Sequence, residues 1–154
     1  MGRREVRRAA GTQAVSDLLR HPKRLAELLV GAAPARAEAD LVALRAGEAR
    51  AVAAFPRIDG RFRQGLLILD PGAPTPVLWR PYRLLGRVRE DVVLTGPFHV
   101  HGASQVTGRD GMVIDKEQFR LLSLRDADRP WEIAVPVIDL PLVRAALHAV
   151  NVRD

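Results

Sequence analysis

Residues 51–79 read AVAAFPRIDGRFRQGLLILDPGAPTPVLW, and the period of this stretch decides the fold. Apolar runs at 51–55, 65–69 and 76–79 are separated by Asp59-Gly60 and by Asp70-Pro71-Gly72. An Asp-Gly pair between apolar runs is a strong hairpin signal, because both positions of a tight hairpin turn require positive φ. The same punctuation continues downstream. Strand-like runs at 83–88, 92–94 and 98–106 are broken by Gly86, Gly96-Pro97 and Gly102. After the turn Gly108-Arg109-Asp110-Gly111 come further runs at 112–114, 119–124 and 131–135. No helical pattern separates them, so a parallel sheet with helical crossovers is excluded. The expectation is a mainly β domain of about seven antiparallel strands, a barrel or a sandwich.

The period changes on both sides of this region. Downstream, Leu142, Val143, Ala146, Leu147 and Val150 form the apolar stripe of an amphipathic helix. Asp139 is placed to cap that helix, with Pro141 in its first turn. Upstream, Val15, Leu18, Leu19, Leu25, Leu28 and Leu29 recur at helical spacing. Pro22 divides them into pieces near 12–20 and 22–30, and Gly31 stops the second. An Ala- and Leu-rich segment at 36–46, ended by Gly47, reads as another helix, although Val42 and Leu44, two apart, also suit a lead into strand. The chain thus divides into a basic flexible arm at 1–10, a helical N-terminal region at 11–46 and a β domain at 48–151.

A resemblance follows from these residues. The run Gly65-Leu66-Leu67-Ile68-Leu69, preceded by Asp59-Gly60-Arg61 and followed by Val77-Leu78-Trp79-Arg80, resembles the opening of bacterial pleckstrin-homology-like and GRAM-type domains. Residues 62–150 are also similar to an actinobacterial family of unknown function, in which a membrane helix precedes such a barrel. The resemblance implies a seven-strand antiparallel barrel closed by a C-terminal helix, here with a helical N-terminal extension. Two departures are visible. The chain shows no such membrane helix, and Trp131 falls in a strand where many eukaryotic relatives carry a tryptophan in the final helix.

Composition narrows the function classes. Of 154 residues, 47% are hydrophobic and only 5% aromatic, so aliphatic side chains must fill the core. Cysteine is absent, which removes disulfides, thiolate metal sites and cysteine nucleophiles. The 24 basic residues exceed the 18 acidic ones, for a net charge of +6. All but Lys23 and Lys116 are arginines, whose high pKa inflates the isoelectric point, so nucleic acid is not the favoured partner. No run approaches the 18 or so apolar residues of a membrane span, and a cytoplasmic location is expected.

Candidate sites are few. His99 and His101, two apart on a strand, would share a face and could meet one metal ion. A third ligand is available only by elimination, from Asp91 or His148, and the pair reads as a solvated strand face. Asp110, Asp115, Glu117, Asp126, Asp128 and Glu132 alternate with arginines and lysine, as solvated ion pairs do. Ser104, Thr107 and Ser123 lack a nucleophile elbow. Trp79 and Trp131 belong to core rather than to a base-stacking platform. The remaining feature is cationic. Arg83, Arg87 and Arg89 share one strand parity, and Arg57, Arg61 and Arg63 flank the first hairpin. Guanidinium groups suit phosphate and carboxylate oxygens, so these six form the expected anion or partner surface. The expected function is a non-catalytic binding or adaptor module, without cofactor or metal. Its expected partner is a protein, with peripheral contact to the anionic inner face of the membrane. A nucleic-acid binder and a small enzyme without a recognisable motif are the alternatives.

Overall fold

The computed structural model describes residues 33–82, 90–107 and 114–153. The arm at 1–10, the helical pieces at 12–30, the 83–88 strand, Arg83, Arg87 and Arg89, and the 108–111 turn lie outside the described residues. Within them, helix α1 (Ala33–Arg45) leads into eight strands: β1 (Arg50–Ile58), β2 (Arg61–Phe62), β3 (Gly65–Leu69), β4 (Val77–Pro81), β5 (Val92–Val93), β6 (His99–Gln105), β7 (Phe119–Arg125) and β8 (Pro130–Pro136). A 3-10 turn (Val137–Asp139) runs directly into helix α2 (Leu140–Arg153).

Helix, not strand, is the outcome for the Ala- and Leu-rich segment. Its end is set by Gly47, at φ +88°, which a side chain would strain. The Gly47 N–H donates to the Leu44 carbonyl at 2.9 Å and the Glu48 N–H to the Ala43 carbonyl at 3.0 Å. This paired reversal satisfies carbonyls that a helix end leaves open.

Asp59 at φ +53° and Gly60 at φ +74° make the two-residue turn that the Asp-Gly pair predicts. Register follows from it, with Ile58 opposite Arg61 and Arg57 opposite Phe62. Strand β1 is the hub. Its first half pairs with β3, from Arg50 opposite Leu69 to Ala54 opposite Gly65, whereas Phe55 and Pro56 pair with Ala134 and Ile133 of β8. Pro56, which follows the apolar run at 51–55, lies within the strand. Having no N–H to donate, it sits where β1 leaves one partner for the other.

All pairings are antiparallel, in the order β5-β4-β3-β1-β8-β7-β6, with β2 attached to β1. Among the described residues no ladder joins β5 to β6, so this path is open where the sequence reading expects a closed seven-strand barrel. Strand β5 is two residues long, and β6 is exposed along almost its whole length.

The core is aliphatic, as the composition requires. Val52, Leu67, Leu69, Val77, Leu122, Leu124, Ile133 and Val135 bury against Leu142, Val143, Ala146 and Leu147 of α2. The two tryptophans join this cluster. The Trp79 indole N–H donates to the Ala54 carbonyl at 3.1 Å, which satisfies its one polar atom inside the core. Trp79 lies directly over Gly65: a β-carbon there would stand 2.6 Å from the indole nitrogen and would collide with the Arg80 carbonyl. Only glycine fits, and that requirement explains the glycine that opens β3.

The capping role expected of Asp139 is not observed. Asp139 is the last residue of the 3-10 turn, through which the chain runs straight into α2. Asp139 is buried, and helix α1 packs on this turn and on α2. Burial raises its pKa to about 6, with the Arg36 guanidinium opposing the shift and the Asp40 carboxylate adding to it. The sign of the linkage follows. Between an ordinary carboxyl value near 3.8 and about 6 the folded state holds a proton that the unfolded chain has lost, so stability falls as pH rises through this window. Allowing for partial solvent access, the loss is about 2 kcal/mol. Asp139→Asn is expected to recover that amount at neutral pH and to flatten the profile, read from urea midpoints on both sides of the window.

Candidate functional site

Two surfaces carry the chemistry expected from the sequence: the first hairpin and strand β6. On the hairpin, Arg57 is not a free cation. Its Nε donates to Glu132 Oε2 at 2.7 Å, and its guanidinium lies 4.6 Å from the centre of the Phe62 ring. The β1–β8 junction brings Arg57 and Glu132 together across 75 residues of chain. Arg61 is exposed beside the turn. Arg63 is half-buried, and its Nε is enclosed without a hydrogen-bond partner among the described residues. The three expected arginines therefore share a hairpin but not a role. One is paired with an acid, one is solvated and one is partly enclosed.

Strand β6 carries His99-Val100-His101-Gly102-Ala103-Ser104-Gln105 and, among the described residues, pairs with β7 alone. The ladder runs from His99 opposite Arg125 to Gln105 opposite Arg120, with a bulge between Val100 and Gly102. His101 is the extra residue and has no opposite number on β7. A bulge interrupts period-two alternation, so the shared face predicted for His99 and His101 does not follow from their spacing. Gly102, at φ +151°, absorbs the irregularity. Of the ligands reached by elimination, Asp91 is held by Arg80 in a forked pair, Nε to Oδ1 at 3.0 Å and Nη2 to Oδ2 at 2.9 Å. His148 is exposed on α2. Among the described residues no three or more His, Asp or Glu side chains group as metal ligands.

At its start β6 meets α2. Asn151 Oδ1 accepts from the Phe98 N–H at 2.7 Å, and Asn151 Nδ2 donates to the Phe98 carbonyl at 2.7 Å. The side-chain amide thus takes both backbone groups of one residue, as a neighbouring strand would. Sequence reading passed over Asn151, since a polar residue near a helix end usually faces solvent.

Asp126 was also misread as a solvated ion. It is 4% exposed, and its carboxylate ties the β7–β8 turn together. Oδ1 accepts the N–H groups of Asp128 at 2.9 Å and Arg129 at 2.8 Å, and Oδ2 accepts that of Thr95 at 3.4 Å. Burial alone would raise its pKa. The backbone donors of Arg129, Asp128 and Thr95, with the Trp131 indole beside them, outweigh that and hold it below the ordinary value. Over the other side of the turn the Arg129 guanidinium stacks 3.9 Å from the centre of the Trp131 ring. The spacing of Asp126, Asp128 and Arg129 is that of an Asx-type turn, a signal present in the sequence.

A shallow groove lies between the β3–β4 turn and α2, lined by Asp70, Pro71, Pro76, Ala146, Ala149 and Val150. Arg153 crosses it to the Pro71 carbonyl. Its lining is mostly aliphatic and brings no set of nucleophile, acid and base together. No helix among the described residues is long and apolar enough to cross a membrane. Comparison with known protein families and with curated proteins finds no match to this chain.

Proposed function

We propose that the protein is a non-catalytic binding module of pleckstrin-homology-like type that contacts another protein in the cytoplasm. The observation that carries this reading is β6: a seven-residue strand at the end of the sheet path, almost wholly exposed and pairing on one side only among the described residues. Supporting it is the order of elements, in which hairpins share the bent hub strand β1 and a C-terminal helix buries its apolar stripe against both halves. On this reading the open path is a pleckstrin-homology-like barrel with a wide seam between β5 and β6. Membrane contact is secondary. With Arg57 engaged by Glu132, the described part of the hairpin offers little free charge, and exposed cations act weakly at physiological salt.

The test is affinity capture of the full chain from its own cells, run beside co-sedimentation with phosphatidylserine vesicles at low and physiological salt. A stoichiometric protein partner is expected, with vesicle binding that disappears at physiological salt. Salt-resistant vesicle binding, or nucleic acid recovered in place of protein, would overturn the reading.

A further inference from the structure

We infer that the face of β1, β3, β4 and β5 turned away from the core is the seat of the chain's own amphipathic segment at 12–30, which lies on it as an added layer. The inference goes beyond the binding-module reading and holds whatever β6 meets.

Parity defines the face. Val52, Ala54, Leu67, Leu69, Val77 and Trp79 bury in the main core. Successive side chains of a strand point to opposite sides, so the residues between these point outward. Register sets them in rows. Ala51 stands opposite Ile68, Ile68 opposite Leu78 and Leu78 opposite Val93, while Ala53 stands opposite Leu66. All six are apolar. An antiparallel sheet with one face in water alternates apolar and polar residues, whereas a strand covered on both faces reads as an unbroken apolar run. Residues 51–55, 65–69 and 77–79 are such runs. In the other half of the sheet the outward positions include Ser123 and Glu132, paired across β7 and β8.

Burial agrees with the runs. Leu66 is 1% exposed and Ala53 6%. Strand neighbours shield the base of a side chain and leave its tip open, and among the described residues neither Leu66 nor Ala53 belongs to a buried cluster. The adjoining row is more open: Ile68 and Leu78 are half-buried and Val93 is 43% exposed. This face needs a cover that the described elements do not supply.

Three stretches lie outside the described residues and could supply it. Residues 108–113 fall between Val106 and Ile114, which bury with Phe119 of β7 and Ala134 of β8, in the other half of the sheet. Residues 83–89 carry three arginines in seven positions, and the forked Arg80–Asp91 pair ties their two ends together. The N-terminal stretch alone has an apolar stripe, in Val15, Leu18, Leu19, Leu25, Leu28 and Leu29. Its size fits: four strands span about 14 Å, and a nine-residue helical piece is about 14 Å long. Its tether fits too. The segment ends two residues before α1, and α1 itself packs against β1.

The chain has no cysteine, so a single introduced thiol reports on its own site. Leu66→Cys places it on the outer face and Leu67→Cys on the inner one. In the full chain both are expected to react slowly with a maleimide. Adding Leu25→Asp and Leu28→Asp is expected to speed labelling of Leu66→Cys at least tenfold and to leave Leu67→Cys unchanged. Ile68→Cys, half-buried on the same face, gives the same test with less loss of packing, and thermal melting of every variant separates uncovering from unfolding. Unchanged labelling on the outer face would overturn the inference. So would equal acceleration of Leu67→Cys, which makes the segment a general support of the fold. Acceleration by Leu84→Asp and Leu85→Asp in place of the N-terminal changes would assign the cover to residues 83–89, and outer-face labelling that slows as protein concentration rises would assign it to a second copy; either result overturns the inference.

Discussion

Leu147→Asp is expected to leave no soluble folded protein. Leu147 is 2% exposed and lies with Leu142, Val143 and Ala146 on the face of α2 that packs into the core. An aspartate there must either ionise without a partner or take up a proton, and both cost several kcal/mol on top of the lost apolar burial. A domain of this size has about 5–15 kcal/mol of stability in all. The expected result is loss of cooperative melting in circular dichroism and recovery of the chain in inclusion bodies. His148→Asp, one residue along on the exposed face, is the control and should melt like the wild type. A Leu147→Asp protein that melts cooperatively near the wild-type temperature would show that α2 is not integral to the core.

Asp126→Ala is expected to cost about 3 kcal/mol, for a different reason. The substitution removes no apolar packing but leaves the N–H groups of Asp128, Arg129 and Thr95 without their acceptor. Hydrogen bonds to a charged acceptor contribute about 1.5–3 kcal/mol each, and the exposure of the surrounding turn lets water recover part of the loss. The pH dependence has the opposite sign to that of Asp139. The depressed Asp126 carboxyl stabilises the fold above the ordinary carboxylate range, and that contribution disappears as pH falls through its folded value. Stability is therefore expected to peak on the acidic side of neutrality. Below the peak Asp126 takes up its proton; above it Asp139 gives its proton up. Urea titration of the two single variants across this range checks both signs.

These two residues also mark where the sequence is legible and where it is not. Local chemistry reads well. Asp59-Gly60 specifies its turn, Gly47 ends its helix, and the period of Leu142, Val143, Ala146 and Leu147 specifies the buried face of α2, because each signal acts within a few residues. Long-range pairing does not. Nothing near Arg57 announces Glu132, 75 residues away, and so a residue assigned to a free cationic surface is already neutralised. Asp139 fits a helix cap by position, but a 3-10 turn beneath α1 takes that position and buries the carboxyl. His99 and His101 share a face only in an unbroken strand, and the bulge depends on how β6 registers with β7. Asn151 finds Phe98 only once α2 has docked. The eight strands among the described residues and the order of their sheet are likewise properties of pairing, which period and spacing do not encode.

The functional account places recognition at the exposed strand β6. Amide hydrogen exchange of the full chain, alone and bound to its captured partner, tests that placement most directly. Slowed exchange confined to residues 99–105 is the predicted result. Unchanged exchange along β6, with protection at residues 57–63 of the first hairpin instead, would contradict it.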